Sequence, residues 1–258
     1  MTSGTAAAGH FPMPVRHFLT HAGQYLQRGD IVLLKGKASI YSWAIRWWTN
    51  SEFSHAALIF AVPSSEDGFE KTFLIEASID GVDITDLKHY ARDLSLVYDV
   101  AIKRCDRPWM TIEVQRSIRG HMLNYIKANY DYWTVLGFIR SLMRKREHHE
   151  KDPASEHQRA LWRRRPPTRF VCSGFLQYGF LSAVSRLIQA KQLPPDCIEQ
   201  VMFKPGLRPD SRPQEILATT PEDLACTSLL NWKYAIRGGY VHEVTTYSDV
   251  RNAFRNLR

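Results

Sequence analysis

One cysteine in this sequence stands where a thiol can be made reactive. The stretch RFVCSGFLQ, residues 169–177, ends a short apolar run at Cys172, and apolar residues at helical spacing follow at once. A cysteine attacks a carbonyl carbon as its thiolate, and the N–H groups and dipole at a helix start favour negative charge. The same N–H groups can hold the oxyanion of the attacked carbonyl. Cys172 is therefore either a nucleophile or a small buried side chain of the core.

A nucleophilic thiol also needs a base, and His55 is the histidine best placed to serve as one. Most of the ten histidines lie in polar stretches, whereas His55 opens the apolar run SHAALIFAV, residues 54–62. Glu76 is the acidic residue of the next apolar run, KTFLIEAS, residues 71–78. If the two runs pair antiparallel about residue 66, position 55 lies opposite 76 or 77, and the carboxylate can orient the imidazole and stabilise its cation. Taken singly, His55 could be a structural strand-end residue, and Glu76 a bulge residue or a lysine partner.

The other cysteines and histidines show no comparable arrangement. Three cysteines have no obvious base and are predicted to be structural, reduced thiols: Cys105, Cys197 and Cys226. The wide spacing of the cysteines and the lack of a CxxC pair argue against a zinc ribbon or a dense disulfide framework. Three histidines share a polar loop without a cysteine partner, a poor arrangement for a metal site: His148, His149 and His157. We expect neither a metal ion nor a cofactor.

The elements that must position these residues follow from the apolar patterns. Strand patterns cover residues 29–36, 54–62, 71–78, 80–85 and 96–105, and YAIRGGYVHEVT resembles a closing strand pair. Helical patterns cover residues 38–50 and 112–130, the segment from Cys172 onward, and residues 218–227, where Thr220 is a typical N-cap. These elements predict an α+β fold in which a small, mainly antiparallel sheet of four or five strands packs against helices.

The length and composition fit one globular domain. The chain has 258 residues, 44% of them hydrophobic, and no apolar run long enough for a membrane-spanning helix. Residues 1–23 contain small residues and two prolines and are predicted to be loose. They lack the charged start and apolar centre of a secretory signal, so we expect a cytoplasmic protein, with a phage-associated protein or an exported effector as the exceptions. The folded domain is predicted to span residues 24–258.

The net charge of +8 is concentrated in one stretch. Residues 140–169 contain ten Lys and Arg against four Asp and Glu, with few core residues, which predicts a basic surface insertion. Within it, RRRPP at 163–167 beside Trp162 could contact phosphates, nucleic acid or an anionic membrane, or could be a solvated loop. An anionic surface is thus a candidate partner of residues 140–169, and we expect no specific nucleic-acid partner. The oligomeric state is left open.

The order of these motifs resembles a known family. GDIVLL, SHAALIF, FLIEAS, a Tyr-Asp pair, FVCSGFLQ and TTPEDL follow one another as in the permuted NlpC-like cysteine hydrolases of the YiiX/YaeF type. The resemblance covers residues 29–246 and implies a circularly permuted papain-like fold. It implies that His55 is the general base, Cys172 the nucleophile and Glu76 the residue that orients His55, with Tyr130 near the oxyanion. The basic stretch is longer here than the corresponding link in the family.

The expected activity is hydrolysis of an amide bond, as in a cell-wall peptide, through an acyl-enzyme. A lipid acyl hydrolase or acyltransferase on the same triad is the alternative, and a non-catalytic module that binds a ligand or a membrane is another. The substrate is expected to be peptide or lipid-like, with Ser54, Ser173 and Trp47 as candidate binding residues. The tryptophans near Trp47 could instead pack a helix against the sheet.

Overall fold

The structure is a computed structural model, and it describes most of the folded chain. The described residues are 11–37, 42–43, 46–47, 51–64, 69–78, 80–92, 97–126, 129–130 and 169–255. The predicted basic insertion therefore lies outside the described residues except for its last position. His148, His149, His157 and Trp162 lie outside them as well.

Ten strands lie within the described residues: β1 (Met13–Pro14), β2 (Ile31–Gly36), β3 (His55–Ala61), β4 (Phe73–Ser78), β5 (Gly81–Asp86), β6 (Tyr98–Arg104), β7 (Asn129–Tyr130), β8 (Arg169–Phe170), β9 (Asn231–Arg237) and β10 (Tyr240–Glu243). Eight of them make one sheet in the order β1-β10-β9-β6-β2-β3-β4-β5, and all neighbours in it are antiparallel. The α+β class is thus confirmed. The sheet is larger than the four or five strands predicted, because β9 and β10 extend it and β1 adds a further edge strand.

Seven α-helices are described from end to end: α1 (Val15–Thr20), α2 (Ala22–Tyr25), α3 (Ile112–Leu123), α4 (Cys172–Gln189), α5 (Pro213–Leu217), α6 (Pro221–Cys226) and α7 (Tyr247–Arg255). Two 3-10 helices, Leu87–His89 and Pro195–Val201, are also described. The predicted cap of α6 is confirmed, since the Thr220 side chain accepts from the N–H of Asp223 and the Asp223 carboxylate accepts from the N–H of Thr220.

Both faces of the sheet are covered, which explains why its central strands have nearly continuous apolar sequences. In β2, Ile31 and Leu33 belong to the core on one face, whereas Val32 and Leu34 belong to the core on the other. All four side chains are fully buried. Helices α3 and α4 pack on the first face, and α1 with the segment around Tyr90 packs on the second. A strand buried on both sides needs no polar alternation.

The start of the chain differs from the prediction where the structure describes it. Residues 13–25 are not loose, because Met13 and Pro14 pair with β10 and the N–H of Val15 donates to the carbonyl of Gly239. Val15 and Phe18 are fully buried in the second core. The small and polar residues around α1 conceal these few apolar anchors, so composition alone led to the wrong expectation.

Two further expectations change in detail. The helix predicted over residues 112–130 ends at Leu123, and Tyr130 lies in β7, which pairs in parallel with β8. Of the helix predicted over residues 38–50, only 42–43 and 46–47 lie within the described residues, and these are helical. Across the described part of the chain, no helix has both the length and the apolar character needed to cross a bilayer.

Candidate active site

Strands β3 and β4 place His55 beside Glu76 on one face of the sheet. Ala57 is opposite Glu76 in the register, so His55, two residues before Ala57, is a diagonal neighbour of Glu76 on the same face. The Nε2 atom of His55 lies 2.5 Å from Oε2 of Glu76. The predicted pairing of position 55 with 76 or 77 was therefore wrong in register. The observed register differs from a 55–76 pairing by two residues. Because side chains alternate between the faces of a strand, a shift of two residues leaves His55 and Glu76 on the same face, and their side chains still meet.

Tyr90 completes the surroundings of Glu76, and sequence reasoning missed it. Its hydroxyl donates to Oε1 of Glu76 at 2.8 Å and lies 3.0 Å from Oε2. Burial raises the Tyr90 pKa, and the neighbouring carboxylate raises it further, so the hydroxyl stays protonated as a donor. Tyr90 directly follows the 3-10 turn Leu87–His89, and no sequence signal marks it as part of a site.

Glu76 is held as a buried carboxylate. Burial by itself raises the pKa of Glu76, but the hydrogen bond and charge of His55 lower it. Hydrogen bonds from Thr85 and Tyr90 lower it further, and the net pKa lies below its ordinary value. The residue is only 2% exposed. A buried, ionised and hydrogen-bonded carboxylate is suited to hold a histidine in its cationic form.

Cys172 reaches the same histidine from the other side. It is the first residue of α4, is buried, and hydrogen-bonds to His55. Burial raises the pKa of the Cys172 thiol, but the charge and hydrogen bond of His55 and the N–H groups of Ala56 and Ser173 lower it below its ordinary value. Because Nε2 of His55 is engaged by Glu76, Nδ1 is the ring nitrogen available to the thiol.

The pKa of His55 is shifted in the direction expected of a residue that takes up the Cys172 proton. Burial alone lowers the pKa of His55, but the charge and hydrogen bond of Cys172, together with those of Glu76, raise it to about 10. A lowered thiol pKa beside a raised imidazole pKa favours transfer of the Cys172 proton to His55, the direction that leads to a thiolate–imidazolium pair. The two groups titrate together, so the shifts belong to the pair.

The other three cysteines provide the contrast, and the structure describes all four as free thiols. Burial raises the pKa of Cys105 to about 12, and it also raises the pKa of Cys197. Burial and the Glu222 carboxylate raise the pKa of Cys226 to about 11. No histidine is among the causes of these three shifts. Cys172 is thus the one cysteine of the chain whose pKa is lowered.

The start of α4 is fixed by close packing. Gly174 lies so near to α5 that a Cβ atom there would be 2.1 Å from the carbonyl oxygen of Leu217. The hydroxyl of Ser173 donates to the carbonyl of Thr219 at 2.6 Å. The N-cap residue Val171 supplies no side-chain cap, and the first turn has no acidic residue. The N-terminal N–H groups of α4 therefore face no competing carboxylate within that turn.

The candidate substrate-binding residues differ in their surroundings. Ser54 and Ser173 are buried, and both hydroxyls are bonded to backbone groups, Ser54 to the N–H of Gly36 and the carbonyl of Leu34. Neither side chain is available to a substrate, contrary to the prediction. Trp47 is 74% exposed and stacks on Trp43 at a ring-centroid distance of 6.2 Å, so it does not pack against the sheet.

Tyr130 is brought near Cys172 through the backbone. It pairs with Phe170 in the parallel β7–β8 pair, and Phe170 is two residues before Cys172. The Tyr130 side chain lies outside the described part of the structure.

Among the described residues, no group of three or more His, Cys, Asp or Glu side chains is arranged to hold a metal ion.

Comparison with known proteins adds no assignment. The sequence matches no family model, and it matches no curated protein.

Proposed function

We propose that this chain is a cysteine hydrolase in which Cys172 is the nucleophile and His55 the acid–base residue. The observation that carries the proposal is the hydrogen-bonded series Cys172–His55–Glu76, with opposite pKa shifts on the thiol and the imidazole. Glu76 orients His55, and Tyr90 holds Glu76. A buried structural cysteine needs none of these partners.

The reaction follows from the resting ion pair. The Cys172 thiolate attacks the carbonyl carbon of an amide or ester, and N–H groups at the start of α4 stabilise the oxyanion. The His55 imidazolium then gives its proton to the leaving amine or alkoxide, which leaves a thioester. His55 next takes a proton from water as the water attacks the thioester, and the acid product leaves as Cys172 returns to the thiolate.

The fold we propose is the permuted papain-like fold that the motif order implies. The histidine strand comes before the cysteine helix in the chain, and α4 packs against the sheet that contains β3. In this proposal Tyr130 lines the oxyanion region, in keeping with its backbone pairing next to Phe170.

The first test is the alkylation rate of each cysteine by iodoacetamide between pH 5 and 9, measured by peptide mass spectrometry. We expect Cys172 to react much faster than the other three at pH 6, because its thiolate persists where ordinary thiols are protonated. The matched internal control is Cys226, which is exposed but has a raised pKa.

The His55→Ala variant decides whether the reactivity depends on the pair. We expect Cys172 to lose its advantage at pH 6 while Cys226 is unchanged, with circular dichroism confirming that the variant is folded. If wild-type Cys172 is inert or titrates like an ordinary thiol, the hydrolase proposal is wrong.

A second candidate substrate class is a lipid acyl ester or amide, and the exposed tryptophan pair favours it. Trp43 is 58% exposed and Trp47 is 74% exposed. The side chain of Ser42, the residue before Trp43, lies close to Gly36, since a Cβ atom added to Gly36 would be 2.4 Å from the Ser42 hydroxyl. The same Cβ atom would be 3.3 Å from the hydroxyl of Ser54, the residue directly before β3. An apolar platform therefore stands near the strand that begins at His55.

Acyl p-nitrophenyl esters of increasing chain length distinguish the two substrate classes. If the enzyme acts on lipids, kcat/KM rises with chain length and Trp47→Ala abolishes the rise. If it is a peptidase, kcat/KM does not rise with chain length and Trp47→Ala has no such effect.

A further inference from the structure

A cleft lies beside the start of β4, at the opposite end of that strand from Glu76. It has a volume of about 510 Å³ and is bounded by α1, the start of β4, the end of β5 and the segment after it. Thr72, in its wall, is four residues before Glu76, or roughly 13 Å along an extended strand. The cleft is therefore distinct from the Cys172 site, and binding there can be measured whether or not Cys172 is a nucleophile.

Cations outnumber anions among the described residues around this cleft. Four basic side chains line it, Arg16, Lys71, Lys88 and Arg92, against two acidic ones, Glu70 and Asp86. All four basic residues are exposed. Lys71 lies 3.8 Å from Asp86 and its side chain is 64% exposed, so this ion pair is of small energetic value and the charge of Lys71 stays available to a ligand. Cations from α1, from the start of β4 and from residues 88–92 thus converge on one concave surface.

The wall of the cleft also contains a buried hydroxyl without a partner. Thr72 is 4% exposed, and its Oγ1 atom makes no hydrogen bond within the described part of the chain. Buried polar groups of folded proteins nearly always have a partner, so an unpaired hydroxyl in a cleft wall points to a ligand. The Thr72 carbonyl accepts from the N–H of Leu87, which ties this wall to the segment that carries Lys88 and Arg92.

We propose that this cleft binds a phosphate group, either of a small soluble molecule or of a lipid headgroup. A phosphate dianion matches an excess of two positive charges, and its oxygens accept from Arg, Lys and hydroxyl donors together. The volume leaves room for the organic part of a phosphate ester beyond the phosphate itself.

The test is isothermal titration calorimetry of the full chain with pyrophosphate and with glycerol 3-phosphate. A parallel arm measures co-sedimentation with phosphatidylcholine vesicles, with and without phosphatidic acid. Two variants probe the cleft: Thr72→Val, which removes the hydroxyl at nearly constant volume, and the double variant Lys88→Gln/Arg92→Gln. The matched control is Arg208→Gln/Arg255→Gln, which removes two exposed charges outside the cleft.

We expect the double variant to weaken binding at least tenfold and Thr72→Val to weaken it severalfold, while the control retains wild-type affinity. Thr72→Val should fold at least as well as wild type, because it removes an unpaired buried hydroxyl. Binding of soluble phosphates alone identifies a soluble ligand, and added binding to phosphatidic acid identifies a headgroup; either result supports the site. The proposal is overturned if the wild type binds none of the probes, or if the control weakens binding as much as the cleft variants do.

Discussion

At the level of single residues, the candidate site depends on how Glu76 is kept ionised. A buried carboxylate tends to take up a proton, and a neutral Glu76 would no longer stabilise the imidazolium of His55. Two donors besides His55 oppose this tendency, namely Tyr90 and Thr85. Tyr90 is therefore a positioning residue that acts through Glu76.

Tyr90→Phe tests this role by removing one donor without changing the ring. We expect a loss of about 1.5–3 kcal/mol in the free energy of unfolding at pH 7, as for a hydrogen bond to a charged group. The Glu76 pKa is lowered by folding, so the stability it contributes is present above its ordinary value of 4.5 and disappears as the pH falls through the folded value. The difference between the two proteins should therefore shrink in acid.

Urea unfolding at pH 7 and at successively lower pH measures the difference. The control is Tyr240→Phe, which alters an exposed tyrosine outside the site and should cost less than about 0.5 kcal/mol. A Tyr90→Phe loss that is the same at every pH would show that the Tyr90 hydroxyl does not act through the ionised Glu76.

At the level of helices and strands, the start of α4 must be held against the sheet for Cys172 to reach His55. Gly174 permits this by letting the helix backbone approach Leu217. The sequence FVCSGF contains this glycine, but periodicity alone treats it as a weak point of a helix. Its importance appears only when α5 is seen beside it.

Gly174→Ala is expected to push the first turn of α4 away from α5, because the added Cβ would lie 2.1 Å from the Leu217 carbonyl oxygen. We expect a loss of about 1–3 kcal/mol in stability, as for overpacking, and slower alkylation of Cys172 at pH 6. Thermal unfolding and the alkylation rate measure the two effects.

The matched control is Gly120→Ala in α3, where no described atom lies within 4 Å of the added Cβ. This change should be neutral or should stabilise the protein by up to about 1 kcal/mol, through helix propensity. Equal behaviour of the two variants would mean that the contact with Leu217 is unimportant.

Across the whole molecule, the sheet separates two cores that share its strands. The first core contains the apolar face of α4, and the second contains α1 and Tyr90. The site spans both, because Cys172 comes from the helix on one face and Tyr90 from the segment on the other. Loss of either core should therefore disturb the site.

Phe18→Ala tests this dependence from the side of α1. Phe18 is fully buried in the second core, so its truncation should cost about 3–5 kcal/mol and lower the alkylation rate of Cys172. Ile112→Ala, at a position that is 58% exposed, should cost less than about 0.5 kcal/mol and leave the rate unchanged. If Phe18→Ala leaves stability intact, then α1 is not part of the cooperative fold.

Sequence patterns were enough to place the central strands, the start of the Cys172 helix and the cap at Thr220. These features depend on local periodicity and on residue types that act within one turn or strand. The same patterns pointed to His55 and Glu76, because charged groups in apolar runs are rare.

The remaining features arise from contacts between distant segments. Tyr90 meets Glu76 across an intervening strand, Gly174 meets Leu217 from a remote part of the chain, and residues 13–25 are ordered by contacts with β10 and the second core. Ser54 and Ser173 adjoin the proposed catalytic residues in sequence, yet their hydroxyls are bonded to backbone groups. Such contacts join positions far apart in the chain, and no local pattern encodes a partner that folding alone brings near.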